Sequence, residues 1–429
     1  MFWTTLIGTL VLAASTGVAL GAALGLTGLI LLHFYSNGAT SLAVDSIWSV
    51  FNSFTLSAVP LFILMGEILL RSGVSNRAYA AFSPLFRRVP GGLLHTNIAV
   101  CTLFGAVSGS SLSTAAAVGS VAYPEMTRRG YNKDVIVGSL AGGGTLGLLI
   151  PPSLSFLIYG ALTETSIGQL FVAGILPGIM VAAMFMTYIF FKALRDPSVA
   201  PPDPTRRSAW QIFLGFGQIW PLLALIIAVI GSIIGGLATP TEAAGLGVVL
   251  AAIISFLWGD LTLKRLVEAT FRSTLLFASI GFVVLGATIL AQSVSILGIP
   301  QQILLSVAES GLDRYSILLV VVIIYLILGC FFDGLSLMIM TLPVVFPLLT
   351  GLDFHPVWVG VLITIVIEIG QVTPPVGLNL SVLASLTNNE VSLGRVAWAT
   401  VPYWLAHLLA IAVLTVFPAI ALFLPDLLF

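Results

Sequence analysis

The chain has 429 residues, of which 58% are hydrophobic and only 8% are charged, and its formal net charge is −1. Soluble domains are about one quarter charged, so this composition excludes a water-soluble globular protein. The balanced charge also gives no basic surface of the kind that nucleic-acid-binding proteins carry. Apolar runs of about 20 residues recur along the chain, and runs of that length cross the hydrocarbon core of a lipid bilayer. The sequence therefore predicts an all-α polytopic membrane protein.

The first apolar stretch, residues 2–33, fits either one long tilted helix or two short helices broken near Thr16-Gly17. It lacks the positively charged segment and the small-residue cleavage site of a signal peptide, so we expect it to be retained. The choice between one helix and two decides on which side of the membrane Met1 lies, and both alternatives stay open.

Positive charges indicate the side of each loop. Of the 16 Lys and Arg residues, 14 fall in four short stretches, and such stretches stay in the cytoplasm. The four stretches are 71–88, 128–133, 192–207 and 264–272. The loops at 299–314 and 351–356 contain one Arg and no Lys, so we expect them on the opposite side.

Between the first two basic stretches, an apolar segment is interrupted by Ser108-Gly109-Ser110-Ser111. Its arms, 89–107 and 112–127, are of marginal length for a full crossing at about 1.5 Å per residue. Because both ends carry cytoplasmic charge, the segment is predicted to be a re-entrant hairpin that turns near the membrane midplane.

The next segment, 134–163, contains a glycine-rich run and then Ile150-Pro151-Pro152-Ser153. Glycine lowers helix propensity and proline removes a backbone donor, so the helix is predicted to break here. Free backbone groups at membrane depth are tolerated only against protein or a polar cavity. The break is therefore predicted to line a site.

The stretch between the two halves contains spans and a linker. In chain order, the predicted elements are a span at 170–192, a proline-rich linker with Arg206 and Arg207, a span at 213–234, an outer loop at 235–241, a span at 242–258, an amphipathic cytoplasmic segment at 260–272 and a span at 273–298.

The second half repeats the first. Arms at 315–328 and 335–349 flank a turn at 329–334, and the segment 357–387 is broken between Gly370 and Pro375. Pro374 follows Pro151 by 223 positions, and Gly370 follows Gly147 by the same interval. The outside loops imply that the second hairpin enters from the opposite face. Two inverted-topology repeats with paired discontinuous helices are typical of secondary transporters with a site at the repeat interface.

Exposed carbonyls and hydroxyls at such breaks commonly hold alkali cations, so we hypothesise two similar cation sites. The alternative is that the Gly and Ser residues only permit close helix packing. Half-helix N-termini at Ser153 and Asn379 suit an anionic substrate group, although simple capping is the alternative. Asp333 is expected either to act in ion binding or gating or to cap a helix, and Glu368 either to act in coupling or to cap a helix end. The four scattered His residues, His407 among them, have no metal spacing and are expected to be packed or interfacial.

The sequence contains no H-E-x-x-H, Walker A or G-x-S-x-G motif, so we expect no enzymatic activity and no ATP hydrolysis by this chain.

Three segments, 144–153, 238–244 and 371–377, together with the Ser108–Ser111 hairpin, resemble the large membrane subunit of TRAP (tripartite ATP-independent periplasmic) transporters. The resemblance covers essentially the full chain. It implies sodium-driven import of an organic acid, such as sialic acid or a C4-dicarboxylate, across the bacterial inner membrane. It also implies two partners, a periplasmic substrate-binding protein and a separate small four-helix membrane subunit.

The resemblance further implies an elevator-type fold, similar to the ion transporter superfamily, in which a transport domain moves against a scaffold. The implied divisions are N-terminal scaffold helices at 1–88, transport-domain repeat 1 at 89–163, scaffold helices and a cytoplasmic linker at 164–298, transport-domain repeat 2 at 299–387 and a C-terminal helix at 388–429.

Site residues carried over from the family fall into three groups. The first sodium site comprises Gly105, Ser108, Gly147, Ile150 and Pro152. The second comprises Gly329, Phe332, Gly370, Thr373 and Val376. Substrate binding or gating is expected at Ser110, Ser111, Ser153, Asp333 and Asn379.

Two other functions compete with this interpretation. One is a stand-alone sodium- or proton-coupled carboxylate symporter without a binding protein. The other is an ion channel, which needs a continuous polar pore, whereas paired broken helices favour an occluded site. The substrate stays open among sialic acid, C4-dicarboxylates, other sugar acids and ectoine-like compounds.

Overall fold

The computed structural model describes residues 2–201, 217, 219–388 and 390–429, and within these ranges the regular structure is entirely helical. The helices of the first half are α1 Phe2–Ser15, α2 Leu20–Tyr35, α3 Ser41–Phe51, α4 Ala58–Arg71, α5 Val74–Phe86, α6 Leu93–Ser108, α7 Ser111–Arg128, α8 Lys133–Leu149, α9 Leu154–Thr163 and α10 Ile167–Arg195. Those of the second half are α11 Trp220–Ile234, α12 Pro240–Trp258, α13 Leu263–Ile296, α14 Ile299–Ser310, α15 Arg314–Gly329, α16 Gly334–Gly351, α17 Pro356–Gln371, α18 Leu378–Leu386, α19 Leu393–Val416 and α20 Ala419–Leu428.

Among the described residues, six helices are long and apolar enough to cross a membrane when α8 and α9 are taken together. The pair α3 and α4, which bends by 55°, makes a seventh candidate span. The first arm of each predicted hairpin, α6 in one and α15 in the other, is apolar but shorter than these spans. The predicted polytopic all-α architecture is thus confirmed.

The N-terminal stretch forms two helices that run antiparallel to each other. Phe2 and Tyr35 stack edge to face with ring centroids 5.9 Å apart, and the Thr5 hydroxyl lies 2.7 Å from the Tyr35 hydroxyl. α2 runs parallel to α13, because Gly21 contacts Phe282 and Gly28 contacts Ile289. Because α13 begins in a basic stretch, the parallel helix α2 also runs away from the face that carries this stretch. α1 is antiparallel to α2, so the start of α1 lies toward the opposite face.

Each half contains the predicted hairpin followed by the predicted broken helix. Hairpin 1 is α6 and α7, and hairpin 2 is α15 and α16. Broken helix 1 is α8 and α9, interrupted at 150–153, and broken helix 2 is α17 and α18, interrupted at 372–377. The Pro151-Pro152 and Pro374-Pro375 peptide bonds are both cis.

The two broken helices run in opposite directions. At one end, the start of α8 meets the region after α18, where Lys133 lies 2.8 Å from Glu390 and Asp134 lies 2.7 Å from Arg395. At the other end, the Tyr159 hydroxyl on α9 donates to the Pro356 carbonyl at the start of α17, at 2.7 Å. This antiparallel arrangement is the inversion that the charge pattern predicts.

The described parts of the four basic stretches lie on one face of the protein. Arg71 contacts Glu268 at 3.3 Å, which joins the first stretch to the fourth, and the Asn132 amide donates to the Val199 carbonyl. Arg395 lies on this face as well, through its ion pair with Asp134. The hydrogen bonds from Lys133 and Tyr123 hold the pKa of Glu390 below its ordinary value.

Two of the predicted segments form a single helix, and another lies outside the described residues. The amphipathic segment 260–272 and the span 273–298 are one continuous helix, α13, because no Gly or Pro separates the charged segment from the apolar one. The linker with Arg206 and Arg207, and the start of the span predicted from residue 213, lie outside the described residues.

Candidate functional site at the hairpin tips and helix breaks

Each hairpin contacts the broken helix of its own repeat through a pair of glycines. A Cβ atom added to Gly105 would lie 2.7 Å from the Gly147 Cα, and one added to Gly329 would lie 2.9 Å from the Gly370 Cα. Such distances leave no room for a side chain. The backbones of hairpin and broken helix therefore approach closely at equivalent places in both repeats.

Oxygen atoms of hairpin 1 converge at Gly147. The Ser108 hydroxyl lies 2.6 Å from the Thr114 hydroxyl and donates to the Ser110 carbonyl at 3.3 Å. A Cβ atom on Gly147 would lie 2.7 Å from Thr114 Oγ1 and 2.8 Å from the Ser110 carbonyl oxygen. Thr114 is absent from the predicted site, although helical spacing on α7 places it one turn after the turn serines.

The other predicted residues of the first sodium site occupy the break itself. The Leu154 amide donates to the Gly109 carbonyl at 3.5 Å, which ties the break to the hairpin tip. The Pro152 carbonyl lies at the same tip, 3.4 Å from where a Gly109 Cβ would be. The Ile150 side chain instead packs against Gly178 of α10, so any role of Ile150 at the tip falls to its backbone.

Hairpin 2 is tied to its break in the same manner. The Val376 amide donates to the Cys330 carbonyl at 3.1 Å. The Thr373 hydroxyl, just beyond the end of α17, donates at 2.6 Å to the Ile369 carbonyl in the last turn of that helix. Val376 is 40% exposed and Phe332 is partly buried, whereas Ser108 is 6% exposed. The second tip is therefore the more open of the two.

Ser110 and Asp333 occupy equivalent positions and both cap the helix that follows. Ser110 accepts a hydrogen bond from the Ser113 amide at 3.4 Å, and Asp333 Oδ1 accepts one from the Ser336 amide at 3.0 Å. One carboxylate oxygen of Asp333 therefore caps α16, as the capping alternative predicts. The other carboxylate oxygen takes no part in this bond.

Ser153 satisfies a carbonyl that the break leaves free. Its hydroxyl donates to the Leu148 carbonyl and lies 2.7 Å from the Ser155 hydroxyl, which donates to the same carbonyl at 2.8 Å. Within the described chain, the Ser153 side chain makes no capping hydrogen bond to α9. Its position matches the prediction, but its hydroxyl faces the protein backbone.

Ser111 and Asn379 are brought together from different repeats. The Asn379 amide nitrogen donates to the Ser111 hydroxyl at 2.6 Å, and both side chains are buried. Among the described residues, Asn379 Oδ1 has no hydrogen-bond partner. This contact places the tip of hairpin 1 against the break of helix 2.

A buried polar cluster beside the breaks was not anticipated. His407 Nε2 on α19 lies 3.2 Å from Glu368 Oε2 on α17 and 3.3 Å from Thr145 Oγ1 on α8. Glu368 and His407 are fully buried. Glu368 therefore contacts a neighbouring helix and does not cap the end of its own, and no spacing in the sequence links it to His407.

No group of three or more His, Cys, Asp or Glu side chains in the described part of the chain could hold a metal ion. The oxygens gathered at the first tip are neutral hydroxyls and carbonyls, which suit a monovalent alkali cation better than a transition metal.

Opposed hairpins and antiparallel broken helices, with oxygens gathered where they meet, define a secondary transporter. Over residues 7–420 the chain matches the family model described as tripartite ATP-independent periplasmic transporter, DctM component. The chain belongs to this family of large TRAP permease subunits, and the curated relatives are transporter subunits, not enzymes.

Two of three curated relatives align over nearly their whole length, and the third over two thirds of it. The chain is 35% identical to the C4-dicarboxylate TRAP transporter large permease protein DctM of Pseudomonas aeruginosa, covering 94% of this chain and 93% of the relative. It is 32% identical to the ectoine TRAP transporter large permease protein TeaC of Halomonas elongata, covering 99% and 98%. It is 30% identical to the sialic acid TRAP transporter permease protein SiaT of Haemophilus influenzae, covering 96% of this chain and 66% of that protein.

Among solved structures, the YdaH transporter of Alcanivorax borkumensis has a similar fold. The TM-score is 0.63 at 14% identity, and the match covers 92% of this chain and 90% of YdaH. At this identity the likeness concerns the fold alone.

Proposed function

We propose that this TRAP permease imports an organic acid by sodium symport, receiving it from a periplasmic binding protein. The observation that carries the proposal is the paired arrangement of tips and breaks, with Gly105 against Gly147 and Gly329 against Gly370. Relatives are named for C4-dicarboxylates, ectoine and sialic acid, so a carboxylate is common to the substrates proposed here.

The first sodium ion is proposed to bind at Gly105, Ser108, Gly147, Ile150 and Pro152. The convergence of the Ser108 hydroxyl and the Ser110 carbonyl at Gly147 supports this location, and it adds Thr114 as a further candidate ligand. Unwound backbone and hydroxyl oxygens are the usual alkali-cation ligands in broken membrane helices.

The second sodium ion is proposed to bind at Gly329, Phe332, Gly370, Thr373 and Val376. Support comes from the glycine contact and from the Val376–Cys330 hydrogen bond, which ties the break to the hairpin tip as the Leu154–Gly109 bond does in the first half, although at neighbouring and not equivalent positions. Most of these ligands would act through carbonyls, so side-chain identity matters little at this site.

The substrate carboxylate is proposed to bind where Ser111 and Asn379 meet, with Ser110, Ser153 and Asp333 supporting the surrounding tips. The supporting observation is that Ser111 and Asn379 are in contact, although 268 positions separate them. The N-terminus of α18 begins at this place, and helix N-termini favour anionic groups.

Elevator transport is proposed with the two hairpins and the two broken helices as the moving part. An apolar crevice of about 200 Å³ lies where α9 and α16 meet α13, which supports a seam between a transport domain and a scaffold. We assign α10 to the moving part, although the family resemblance places 164–298 in the scaffold, because Gly174 of α10 contacts Phe156 of α9 and Gly178 of α10 contacts Ile150 at the break.

TRAP systems in general include a small membrane subunit and a periplasmic binding protein, and we propose a separate four-helix subunit and a binding protein for this chain, in the bacterial inner membrane. The alternative is a stand-alone carboxylate symporter. An omission series of proteoliposome uptake assays, with C4-dicarboxylate, ectoine and sialic acid as labelled substrates, separates the two. The tripartite proposal predicts uptake only when both partners are present, and robust uptake by this chain alone would contradict it.

A further inference from the structure

The buried contact between His407, Thr145 and Glu368 connects equivalent positions of the two repeats. Glu368 follows Thr145 by 223 positions, the interval that also separates Gly147 from Gly370. Each of the two residues precedes, by two positions, the glycine that its own hairpin contacts. One nitrogen atom, His407 Nε2, lies within 3.3 Å of both side chains. We name these three residues the His407 bridge.

The hydrogen-bond geometry defines the protons of the His407 bridge. His407 Nδ1 lies 3.0 Å from the Tyr403 carbonyl, and a carbonyl only accepts, so Nδ1 carries a hydrogen. One further proton must then lie between His407 Nε2 and Glu368 Oε2. On either atom that proton leaves the pair without net charge, which is what burial among apolar helices requires. On His407 Nε2 it can be shared with Thr145 Oγ1 as well, which is the state that joins all three residues.

The His407 bridge is shielded from solvent on all sides by packed side chains. His407 and Glu368 are fully buried, and the Phe185 ring packs on the imidazole with centroids 5.1 Å apart. The Thr145 hydroxyl donates its one hydrogen to the Gly142 carbonyl at 2.6 Å, which fixes its orientation and leaves it as an acceptor for a hydrogen on His407 Nε2. Buried, fully enclosed hydrogen bonds of this kind specify one geometry, because breaking them leaves polar groups without partners.

We propose that His407 is a positioning residue that couples the two sodium half-sites. The inference rests on the sodium sites of the proposed function. When an ion orders the backbone at Gly147, it also fixes Thr145 one half-turn earlier. Through His407 the same constraint reaches Glu368 and hence Gly370. Occupation of one half-site therefore raises the affinity of the other, and the effect is reciprocal.

Two substitutions of His407 distinguish the contacts made by Nε2, which form the bridge, from the contact made by Nδ1. The side-chain amide of Gln reaches the position of Nε2, so His407→Gln retains contact with Thr145 and Glu368 and loses the Tyr403 bond. The shorter amide of Asn reaches only the position of Nδ1, so His407→Asn retains the Tyr403 bond and loses the bridge. Tyr403→Phe is the control, because the Tyr403 hydroxyl is buried with no partner among the described residues.

The experiment measures sodium binding by the purified full-length chain in detergent, by calorimetric titration with NaCl at constant ionic strength maintained with choline chloride. Wild type, Tyr403→Phe and His407→Gln are expected to bind sodium with a Hill coefficient above one. His407→Asn is expected to bind with a Hill coefficient near one and a half-saturating sodium concentration raised about fivefold or more. Size-exclusion profiles and thermal unfolding without sodium verify that each variant is folded.

Equal Hill coefficients and equal half-saturating concentrations in His407→Asn and His407→Gln would overturn the coupling role while leaving sodium binding intact. So would a wild-type Hill coefficient of one. If the wild type binds no sodium, the sodium proposal itself fails and the coupling role with it. Should His407→Asn not fold, Thr145→Val breaks the bridge from the other repeat and is expected to lower the Hill coefficient in the same way.

Discussion

Asn379 donates a hydrogen bond of 2.6 Å to the Ser111 hydroxyl, and this bond joins the two repeats where both are interrupted. Ser111 begins the second arm of hairpin 1, and Asn379 lies in the first turn of α18. The bond explains how a tip that enters from one side can be held by a break that belongs to the opposite repeat. It also places two residues of the proposed substrate site in direct contact.

Replacing Asn379 by Leu removes the amide and leaves the buried Ser111 hydroxyl without its partner. We expect the initial rate of substrate uptake in proteoliposomes to fall about tenfold or more, since an unpaired buried hydroxyl costs about 1–3 kcal/mol. Ser385→Leu, on the exposed side of the same helix, is the control and should retain the wild-type rate. A wild-type rate for the folded Asn379→Leu protein would remove this contact from the transport mechanism.

Thr114→Val tests the oxygen cluster at Gly147. Valine has nearly the same shape as threonine but lacks the hydroxyl that lies 2.6 Å from Ser108 Oγ. We expect the sodium concentration for half-maximal uptake to rise about tenfold, as the loss of one oxygen ligand costs roughly 1–2 kcal/mol. Thr102→Val on α6, whose hydroxyl bonds only to its own helix at Ile98, is the matched control. An unchanged sodium dependence would exclude Thr114 as a ligand.

Gly370→Ala tests the backbone contact between hairpin 2 and broken helix 2. The added methyl group would lie 2.6 Å from the Gly329 Cα, which is backbone and cannot rotate away. We expect a loss of about 1–3 kcal/mol of stability, measured as a lower midpoint of thermal unfolding, together with impaired uptake. Gly281→Ala, which meets nothing within 4 Å in the interior of α13, should leave uptake unchanged and the midpoint equal or slightly higher, because Ala favours a helix more than Gly does. Equal midpoints for the two variants would show that the glycine contact is not tight.

The inversion of the repeats can be tested by labelling single cysteines. In a protein with Cys101 and Cys330 replaced, Glu390→Cys should react with a membrane-impermeant maleimide only from the cytoplasmic side, because its partner Lys133 belongs to a basic stretch. Asp313→Cys, in the loop before hairpin 2, should react only from outside. Labelling of both positions from the same side would contradict the antiparallel arrangement.

The elements of this fold could be predicted from the sequence because Gly and Pro residues mark the helix breaks. A Pro-Pro pair repeated at a fixed interval reveals both broken helices, and the clustering of Lys and Arg reveals their opposite directions. The amphipathic segment and the span that follows it belong to one helix, α13, whose continuity the change from charged to apolar residues does not reveal. Most site residues are found at the tips and breaks where they were expected.

The contacts between the two repeats could not be predicted in the same way. His407 lies on α19, outside both repeats, so no interval links it to Glu368 or Thr145. Thr114 could have been found from its position one helical turn after Ser110. The Ser111–Asn379 bond follows only from the packing of α7 against α18, which composition and charge do not encode.

Sodium-driven import can be measured directly. The most direct measurement is accumulation of the labelled organic acid in proteoliposomes that contain this chain and its small membrane subunit, with the binding protein supplied outside. If sodium symport drives import, the acid accumulates above its external concentration only with an inward sodium gradient, and replacing sodium by choline abolishes the accumulation. Equal accumulation in choline under an inward proton gradient would contradict sodium symport.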